Sequence, residues 1–339
     1  MLRLAKLFIL YILRALGLFR LGRYLNRQAL LILCYHGISI RDEHHFLPGM
    51  FVSPKTFAKR MRYVAKHYIV LSLETALKES ERVHKAVITF DDGFCNFGFK
   101  AVPILKSHGF PATVYLSTYY MEHQLPIPNL MADYLIKRRL HEKRRDSHAL
   151  ANNGGARESE RKHASFLQEI KDMKSGQKDI ALRNLVHEMG FSYDEISESR
   201  MFHLLNSSEV RYLAMEGFDF QLHTHRHKNV VDNIDTLSME LAENKVRIVE
   251  LTEKEPTHFA YPSGRWNRNA CLQLKKAGVL SAATMDPGLH YAGADHLCLK
   301  RIFDSESNWQ VEFEWMACGI KEVLYSLLVR IRSALGAGS

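Results

Sequence analysis

The sequence predicts an α/β fold, a distorted (β/α) barrel of about seven strands with a helical insertion. Short apolar runs alternate with amphipathic helical segments along most of the 339 residues, as in a parallel sheet covered by helices. The run from Ala29 to Tyr35 is apolar throughout, which is typical of a strand buried on both faces. Because about seven strand–helix units follow one another, we expect the sheet to close into a barrel.

The first half of this alternation is marked by residues that begin and end helices. Ser53 and Pro54 have the form of an N-cap and a first helical residue, and Gly109 that of a helix stop. One helix is expected after Pro54 and another across Phe99 to Leu105. The predicted strands of this half are 29–35, 69–73, 86–90 and 112–117.

Residues 121–205 interrupt the pattern. They are rich in charge and include the stretches RRLHEKRRD and ANNGGARESE. We predict a largely helical insertion with one flexible loop. The alternation then resumes with helices near 208–216, 237–252 and 268–277, and with strands near 218–222, 258–261, 280–284 and 297–302.

Charge is concentrated at the two ends of the chain. The net charge is +9; residues 1–27 hold six basic residues and no acidic one, and residues 320–339 hold three basic residues and one acidic residue. On a helical wheel the six basic side chains of the first segment fall in one half, and Leu7, Phe8, Tyr11, Ala15, Leu18 and Phe19 dominate the other. Such a pattern is typical of a helix that lies in a bilayer interface.

The domain organisation follows from these observations. We predict a basic amphipathic helix within 1–28, a globular α/β domain at 29–305 interrupted by the insertion 121–205, and a C-terminal amphipathic helix within 306–339. Both ends are expected to contact a membrane surface, with the protein peripheral on the cytoplasmic face of the inner membrane. The nearly neutral middle argues against a nucleic-acid partner.

Two other interpretations of the ends stay open. Both helices can pack on the globular body, or the first can be an uncleaved signal anchor. The apolar run from Leu7 to Leu13 is much shorter than the roughly 20 residues that a membrane span needs. The five cysteines form no CxxC pair, so we expect free thiols rather than disulfides or a cysteine-rich zinc site.

Three segments place polar side chains at the C-terminal end of a predicted strand, where parallel α/β folds carry their active sites. They are VITFDDGF at 87–94, FQLHTHRH at 220–227 and FAYPSGRW at 259–266. Asp91 and Asp92 point to opposite faces and need not share one role, although Asp-Asp-Gly is also a good turn. Neutral imidazole is a common metal ligand, but spacing does not choose between the pairs His223/His227 and His223/His225.

Together the three segments resemble the NodB-type polysaccharide deacetylases, carbohydrate esterase family four. TFDDGF is similar to the first motif of that family, HTHRH to its His-Ser/Thr-x-x-His motif, and FAYPSG to the third motif in its bacterial biosynthetic branch. The segment LCYHGI, which contains His36, also resembles that branch. The match covers roughly residues 29–120 and 205–303.

The resemblance implies a metal-dependent N-deacetylase of sugars. It implies that Asp92, His223 and His227 hold one divalent ion, zinc or else cobalt, manganese or nickel, and that Asp91 is the catalytic base. It also implies that Tyr261, Pro262 and Gly264 line the substrate site. The expected substrate is an N-acylated glycan or a lipid-linked saccharide of a cell-envelope polysaccharide, carrying an acetyl or other small acyl group.

Two departures from the family pattern concern the proton chemistry. Thr257 and His258 stand where many members have an arginine that orients the base. Leu299-Lys300-Arg301 stands where many have a Leu-x-His that supplies the general acid. Guanidinium is a poor proton donor, so we expect Arg301 to pair with Asp91 instead. His36 is then the candidate acid, with His296 as a weaker one.

Three other functions were weighed against the deacetylase. The missing arginine and histidine motivate a catalytically impaired, carbohydrate-binding protein of the same fold. A glycosidase is disfavoured because adjacent aspartates cannot flank a glycosidic bond at the separation of at least ~5 Å that this chemistry uses. A nucleic-acid binder is disfavoured by the charge distribution.

Overall fold

The computed structural model describes residues 2–79, 81–146, 165–170, 173 and 175–325. Within these ranges the chain forms ten short strands, and every ladder between them is parallel. The strands are β1 (Leu30–Tyr35), β2 (Gly37–Ile38), β3 (Phe51–Val52), β4 (Ile69–Val70), β5 (Lys85–Phe90), β6 (Thr113–Leu116), β7 (Asp219–Leu222), β8 (His258–Ala260), β9 (Ser281–Pro287) and β10 (Leu299–Phe303).

Seven of these strands close into a barrel. Their order is β1-β10-β9-β8-β7-β6-β5, and β5 pairs with β1 along its whole length. β4 pairs with the first two residues of β5, and β2 and β3 form a separate small sheet that the sequence did not predict. The prediction of a seven-stranded barrel is confirmed.

Helices surround the barrel. They are α1 (Leu2–Ala15), α2 (Leu18–Leu25), α3 (Glu43–Phe46), α4 (Pro54–His67), α5 (Leu73–Lys78), α6 (Val102–Ser107), α7 (Thr118–His123), α8 (Pro128–Asp146), α9 (165–170), α10 (Ser175–Glu188), α11 (Tyr193–Ser199), α12 (Ser207–Met215), α13 (Leu237–Thr252), α14 (Arg268–Lys276) and α15 (Gln310–Ala317). A π-helical turn at Phe97–Ala101 precedes α6, and residues 320–325 are helical again. Single 3₁₀ turns lie at Ile234–Thr236, Pro262–Gly264 and His296–Cys298.

Alternate residues of each strand face different cores, because successive side chains of a strand point to opposite faces. Leu30, Ile32, Val87 and Leu299 belong to a small cluster that fills the barrel interior. Residues of opposite parity, such as Leu31 and Ile88, pack beneath the helices in the main core. This parity decides which side chains meet at the open end of the barrel.

The first segment forms two helices rather than the single helix that its sequence predicts. Gly17 separates α1 from α2 with a φ of 80°, a left-handed conformation that glycine adopts without steric cost. Leu7, Leu10 and Phe19 are buried against Val311, Cys318 and Ile320 of the C-terminal region. One face of this segment therefore packs on the body. Within the described ranges no helix is long and apolar enough to cross a bilayer.

Most of the predicted insertion that the structure describes is helical. Helices α8, α10 and α11 contribute Leu135, Leu182, Leu185 and Ile196 to the main core. The predicted loop at 151–160 and residues 326–339 of the predicted C-terminal helix lie outside the described residues. All five cysteines are free thiols.

Candidate active site and metal centre

Every second residue of β1 and of β5 faces the barrel interior, and the last of these residues on each strand lies at its C-terminal end. Leu30, Ile32 and Cys34 follow one another on β1, and Val87, Thr89 and Asp91 do so along β5. Cys34 and Thr89 are paired partners in the β1–β5 ladder, and the Asp91 N–H donates to the Tyr35 carbonyl at 2.9 Å. The interior is therefore apolar at its base and polar at its open end.

Asp91 is held by two neighbours of the same parity. Arg301 of β10 donates from its two terminal nitrogens to the two carboxylate oxygens, each at 2.7 Å, and the Cys34 thiol lies 3.6 Å from Oδ2. Arg301 is itself fixed by the Thr284 carbonyl at 2.9 Å. Burial opposes ionisation of Asp91, yet the guanidinium lowers the pKa of this carboxyl below its usual value. Asp91 is thus a fixed carboxylate at neutral pH.

The side chain of Asp92 points away from that of Asp91 because the backbone at Asp92 is in the left-handed region. Its φ is 68°, which is uncommon for a residue with a side chain. Gly93 follows with a φ of 87°, and a Cβ there would lie 2.4 Å from Leu116 Cδ1. Only glycine fits this approach, so the motif needs it for both reasons. Strained conformations of this kind concentrate at functional sites.

The histidine segment leaves β7 with His223 already oriented. The His223 N–H donates to Asn244 Oδ1 at 2.9 Å, and its ring Nδ1 lies 2.8 Å from the Ala260 carbonyl. A carbonyl can only accept, so Nδ1 carries the proton and Nε2 presents a lone pair. This is the arrangement by which a backbone carbonyl fixes a metal-binding imidazole.

The other two histidines of the segment have different surroundings. His225 contacts Thr118 Oγ1 through Nδ1 at 2.8 Å and lies 3.7 Å from Glu243, away from Asp92. His227 has a φ of 54°, which returns its ring to His223, and their ring centres are 4.9 Å apart. The structure therefore places the pair His223/His227, and not His223/His225, beside the aspartate.

Three ligand-type atoms converge at this point. Asp92 Oδ1 lies 3.3 Å from His223 Nε2 and 3.1 Å from His227 Nε2, and the three residues form a group able to hold a metal ion. Asp92 Oδ1 is buried yet has no hydrogen-bond partner, although buried polar atoms are normally satisfied. An orphaned carboxylate oxygen between two imidazoles fits a divalent cation, since one carboxylate and two imidazoles leave open positions for water and substrate.

Charge couples Asp92 and His227. Burial disfavours ionisation of Asp92, but His227 beside it holds the pKa of the carboxyl well below the ordinary value. Burial alone would lower the pKa of His227, and Asp92 raises it above its ordinary value. The site is therefore built around a negative charge that attracts a cation.

His36 stands beside this centre at the end of β1. It follows Tyr35, whose carbonyl binds the Asp91 N–H, and its ring packs edge-on against Phe303 at 5.5 Å. Its Nδ1 is buried without a hydrogen-bond partner, and burial lowers the pKa of the ring. His296 lies just before β10, at the other end of the barrel, where its ring contacts His290. The structure brings His36 to the site and leaves His296 outside it.

Two of the three residues predicted from the third motif, Tyr261 and Pro262, are buried. The Tyr261 hydroxyl donates to the Leu297 carbonyl at 3.0 Å, and its N–H donates to Ala283. A Cβ on Gly264 would lie 2.3 Å from Met285. The hydroxyl and the N–H of Tyr261 are thus used within the fold, and substrate contact by these three residues stays a prediction.

Two residues of the site were missed by sequence reasoning. Asn244 binds the His223 backbone and donates to Thr118 Oγ1 at 3.1 Å. It lies on the buried stripe of α13 with Leu241 and Ile248, and a polar residue in an apolar stripe is a signal that could have found it. Cys34, the thiol against Asp91, carries no such signal within its apolar strand.

The fold and the sequence both match known proteins. Residues 78–282 match the sequence model of the family described as polysaccharide deacetylase. The Streptococcus pyogenes deacetylase PplD, solved with acetate, has a TM-score of 0.54 at 19% identity, over 82% of this chain and 93% of that one. IcaB from Ammonifex degensii has a TM-score of 0.55 at 14% identity, over 86% and 97% of the two chains.

A third structure, the de-N-acetylase from Aggregatibacter actinomycetemcomitans, has a TM-score of 0.54 at 13% identity, over 85% of this chain and 99% of that one. At these identities the solved structures show likeness in fold alone. No curated protein matches the sequence.

Proposed function

The chain belongs to the polysaccharide deacetylase family, a group of hydrolases of carbon–nitrogen bonds in linear amides, and we propose that it removes an N-acetyl or other small N-acyl group from a sugar in a polysaccharide or glycolipid precursor. One observation carries this proposal. A carboxylate fixed by an arginine fork stands next to an orphaned carboxylate flanked by two imidazoles. A base and a cation site side by side are what amide hydrolysis requires.

We propose that Asp92, His223 and His227 hold one divalent ion, zinc in the first place, with cobalt, manganese or nickel as alternatives. Two nitrogens and one oxygen suit zinc, and such a site keeps a position open for chemistry. When bound, the ion would lower the pKa of a water towards ~7 and polarise the amide carbonyl. The Ala260 carbonyl and Asn244 hold His223 in place for this role.

Asp91 is proposed as the base that accepts a proton from the attacking water. An ionised carboxylate offers about four lone-pair positions. Arg301 uses two of them and the Cys34 thiol lies against a third, so about one remains for the water. Arg301 therefore orients Asp91 as well as keeping it charged. The role of the missing arginine is met by a residue from a different strand, which removes one motive for a catalytically impaired protein.

His36 is proposed as the group that gives a proton to the leaving nitrogen. It lies at the same strand end as Asp91, and its Nδ1 has no partner in the fold. Since burial lowers its pKa, the ring is neutral at pH 7 before substrate binds. The proton that Asp91 accepts from the attacking water passes through His36 to the leaving nitrogen, so that one proton is taken up and one is released and both residues return to their starting states.

The decisive experiment uses the purified full chain. Bound metal is measured, and acetate or formate release is assayed on a panel of N-acylated glycans, with Asp91→Asn as the inactive control. We expect one divalent ion per chain and release that Asp91→Asn abolishes. A chain that binds no metal and releases nothing from a broad panel would overturn the proposal.

We also propose that the protein is peripheral to a membrane, on the cytoplasmic face of the inner membrane, and acts on a cell-envelope polysaccharide. The support is the first segment, where six basic residues occur without an acidic one and a broad apolar face accompanies them. Co-sedimentation of the full chain with vesicles tests this association.

A further inference from the structure

Helix α1 packs on the body through Leu7 and Leu10, and three basic side chains around them form polar contacts with the same region. Lys6 forms an ion pair with Glu312 at 2.7 Å, and Arg14 forms one with Glu314 at 3.1 Å. The Arg3 guanidinium donates to the Ser307 carbonyl at 2.6 Å. These contacts fix how α1 is turned about its own axis, and they direct its opposite side away from the protein.

The outward side of α1 is almost wholly apolar, and on α2 apolar side chains continue it beside the exposed Arg20. Its large side chains are between 42% and 70% exposed, which is unusual for so many neighbouring apolar groups in a soluble chain. Those on α1 recur with the spacing of one helix face. They are Leu4, Phe8, Ile9, Tyr11, Ile12 and Leu16, and Leu21, Tyr24 and Leu25 continue the surface beyond Gly17. We call these nine residues the outward face.

Charge near the outward face favours an anionic surface as its partner. Residues 1–27 hold six basic residues and no acidic one, and Arg20, which lies between Leu16 and Leu21 in the chain, is exposed. Lys6 and Arg14 lie on the body side of α1, where Glu312 and Glu314 pair with them. A second copy of this chain would bring like charge against like charge, while an anionic bilayer offers opposite charge and an apolar interior.

The outward face begins at the catalytic end of the barrel. Ser307, which holds Arg3, lies in the loop after β10, and the first residue of that loop, Asp304, donates its N–H to the Cys34 carbonyl. Asp91 binds the next carbonyl along, that of Tyr35. Trp309, half exposed, lies in the same region, and tryptophan favours membrane–water interfaces. A bilayer on this face would lie beside the open end of the barrel.

We infer that the outward face lies in an anionic bilayer and that the substrate is a saccharide linked to a lipid of that bilayer. The inference rests on the proposed deacetylation and names its substrate class. A catalytic mouth at the membrane surface meets saccharides that are confined to that surface, at a local concentration far above that in solution. A free polymer would gain nothing from the arrangement.

The test uses the full-length protein and two double variants. Phe8→Glu with Ile12→Glu places two carboxylates in the middle of the outward face, at exposed side chains whose replacement disturbs no core contact. Met215→Glu with Val246→Glu is the matched control, because both positions are exposed apolar residues on helices elsewhere. Vesicles contain phosphatidylglycerol and phosphatidylcholine, with pure phosphatidylcholine for comparison.

Two substrates separate the inference from the proposed function. One is an N-acetylated oligosaccharide free in solution, and the other is the same oligosaccharide joined to a dioleoyl lipid in vesicles. We expect wild type and control to process the lipid-linked form at least about tenfold faster. The Phe8/Ile12 variant should lose this advantage and leave the vesicle pellet, while its rate on the free form stays within about twofold.

Each other outcome counts against a defined claim. Retention of the lipid-linked rate by the Phe8/Ile12 variant overturns the inference, as does wild type that stays in the supernatant with anionic vesicles. If the wild type dimerises in the absence of lipid and the Phe8/Ile12 variant is monomeric, the outward face binds a second copy of the chain instead. Wild type that pellets with vesicles but releases acetate from neither substrate would sink the deacetylase and leave the membrane face standing.

Discussion

The guanidinium of Arg301 and the carboxylate of Asp91 form a buried ion pair with two parallel hydrogen bonds of 2.7 Å. Both side chains are at most 3% exposed. A pair of this kind has a large desolvation cost, so removing one partner is far more damaging than its net contribution to stability suggests. Here the pair also fixes the proposed base. The effect of losing the pair on stability can therefore be separated from its effect on activity by comparison with a second buried ion pair.

Arg301→Met should lower both stability and activity. It leaves Asp91 charged and unpaired in the interior, which costs about 3–5 kcal/mol of the free energy of unfolding. It also frees the base from its fixed position, which should lower kcat by about 10²-fold or more. Arg301→Lys keeps the positive charge but not the two parallel hydrogen bonds, so its stability and kcat should lie between those of the wild type and those of Arg301→Met. Denaturant unfolding and steady-state kinetics measure the two effects.

Arg60→Met is the control for that prediction, because it removes a second buried arginine–aspartate pair. Arg60 Nε lies 2.9 Å from Asp304 Oδ2, and the pair joins α4 to the loop after β10. Its loss should cost a similar free energy of unfolding but leave kcat near the wild-type value in the folded protein. Equal losses of kcat in Arg301→Met and Arg60→Met would contradict an orienting role for Arg301.

His36→Gln should impair turnover without affecting the metal centre. If His36 gives the proton to the leaving nitrogen, its loss lowers kcat by about 10²- to 10⁴-fold. His296→Gln, at the other end of the barrel, should retain activity. The variants are compared by kcat and by bound metal, and unchanged kcat in His36→Gln would remove it from the proposed mechanism.

The metal centre predicts stabilisation by divalent ions. An ion that binds only the folded state at about 100 times its dissociation constant adds about 2.7 kcal/mol. For a chain of this size that raises Tm by about 4 °C. Asp92→Asn should abolish the zinc-dependent rise in Tm, measured by calorimetry after chelation and reloading. His225→Ala should keep the zinc-dependent rise in Tm, because His225 faces Thr118 and Glu243. Loss of that rise in His225→Ala would show that His225 is a metal ligand and would contradict the pair His223/His227.

Two buried histidines away from the ligand set predict loss of stability in acid. Burial, with a contribution from Arg200, lowers the pKa of His203 to about 4, and burial with His296 does the same for His290. Unfolded histidine titrates near ~6.5, so the unfolded state takes up a proton that the folded state refuses. Stability is therefore fully present above ~6.5 and falls as the pH drops from ~6.5 towards 4.

His203→Gln and His290→Gln should each reduce this acid sensitivity. Between pH 7 and pH 5 each histidine removes about 1–2 kcal/mol from the wild type. The measurement is the change in the free energy of unfolding between the two pH values, variant against wild type, so that all other titrating groups cancel. Parallel pH profiles of variant and wild type would show that the histidine is hydrated in the folded state.

The barrel and most of the site follow from strand patterns, because apolar runs mark the strands and parity decides which side chains share the interior. Arg301 was expected at Asp91 because it stands at the family's Leu-x-His position, and its place on β10 explains why the two side chains share the barrel interior. The choice of His227 over His225 could not be predicted from strand patterns, since it depends on positive φ angles at Thr224 and His227 that no residue type demands. The resemblance to a family supplied that choice.

The orientation of α1 was also beyond the sequence. A helical wheel separates a charged half from an apolar half, but it does not say which half meets the body. The answer depends on Glu312 and Glu314, about 300 residues away in the chain, which bind Lys6 and Arg14. The wheel also placed Leu7 and Phe19 with Phe8 and Tyr11, whereas the fold buries the first two and exposes the others.

Gly22→Ala tests whether α2 packs on the C-terminal region. The contact is present if the substitution lowers the free energy of unfolding and absent if it raises it. An added Cβ would lie 2.8 Å from Ile320 Cβ and 2.9 Å from the Cys318 carbonyl, atoms that cannot move without the backbone. Overpacking of this kind costs about 1–3 kcal/mol. Without the contact, alanine in place of a helical glycine would instead stabilise by up to about 1 kcal/mol.

We therefore expect Gly22→Ala to lower the free energy of unfolding. Gly49→Ala is the control, since a Cβ at Gly49 meets nothing within 4 Å; it should change stability by less than about 0.5 kcal/mol. Both variants are compared with wild type by denaturant unfolding without lipid. Stabilisation by Gly22→Ala would mean that α2 is detached from Ile320, and the outward face of α1 would then lose the support that fixes its direction.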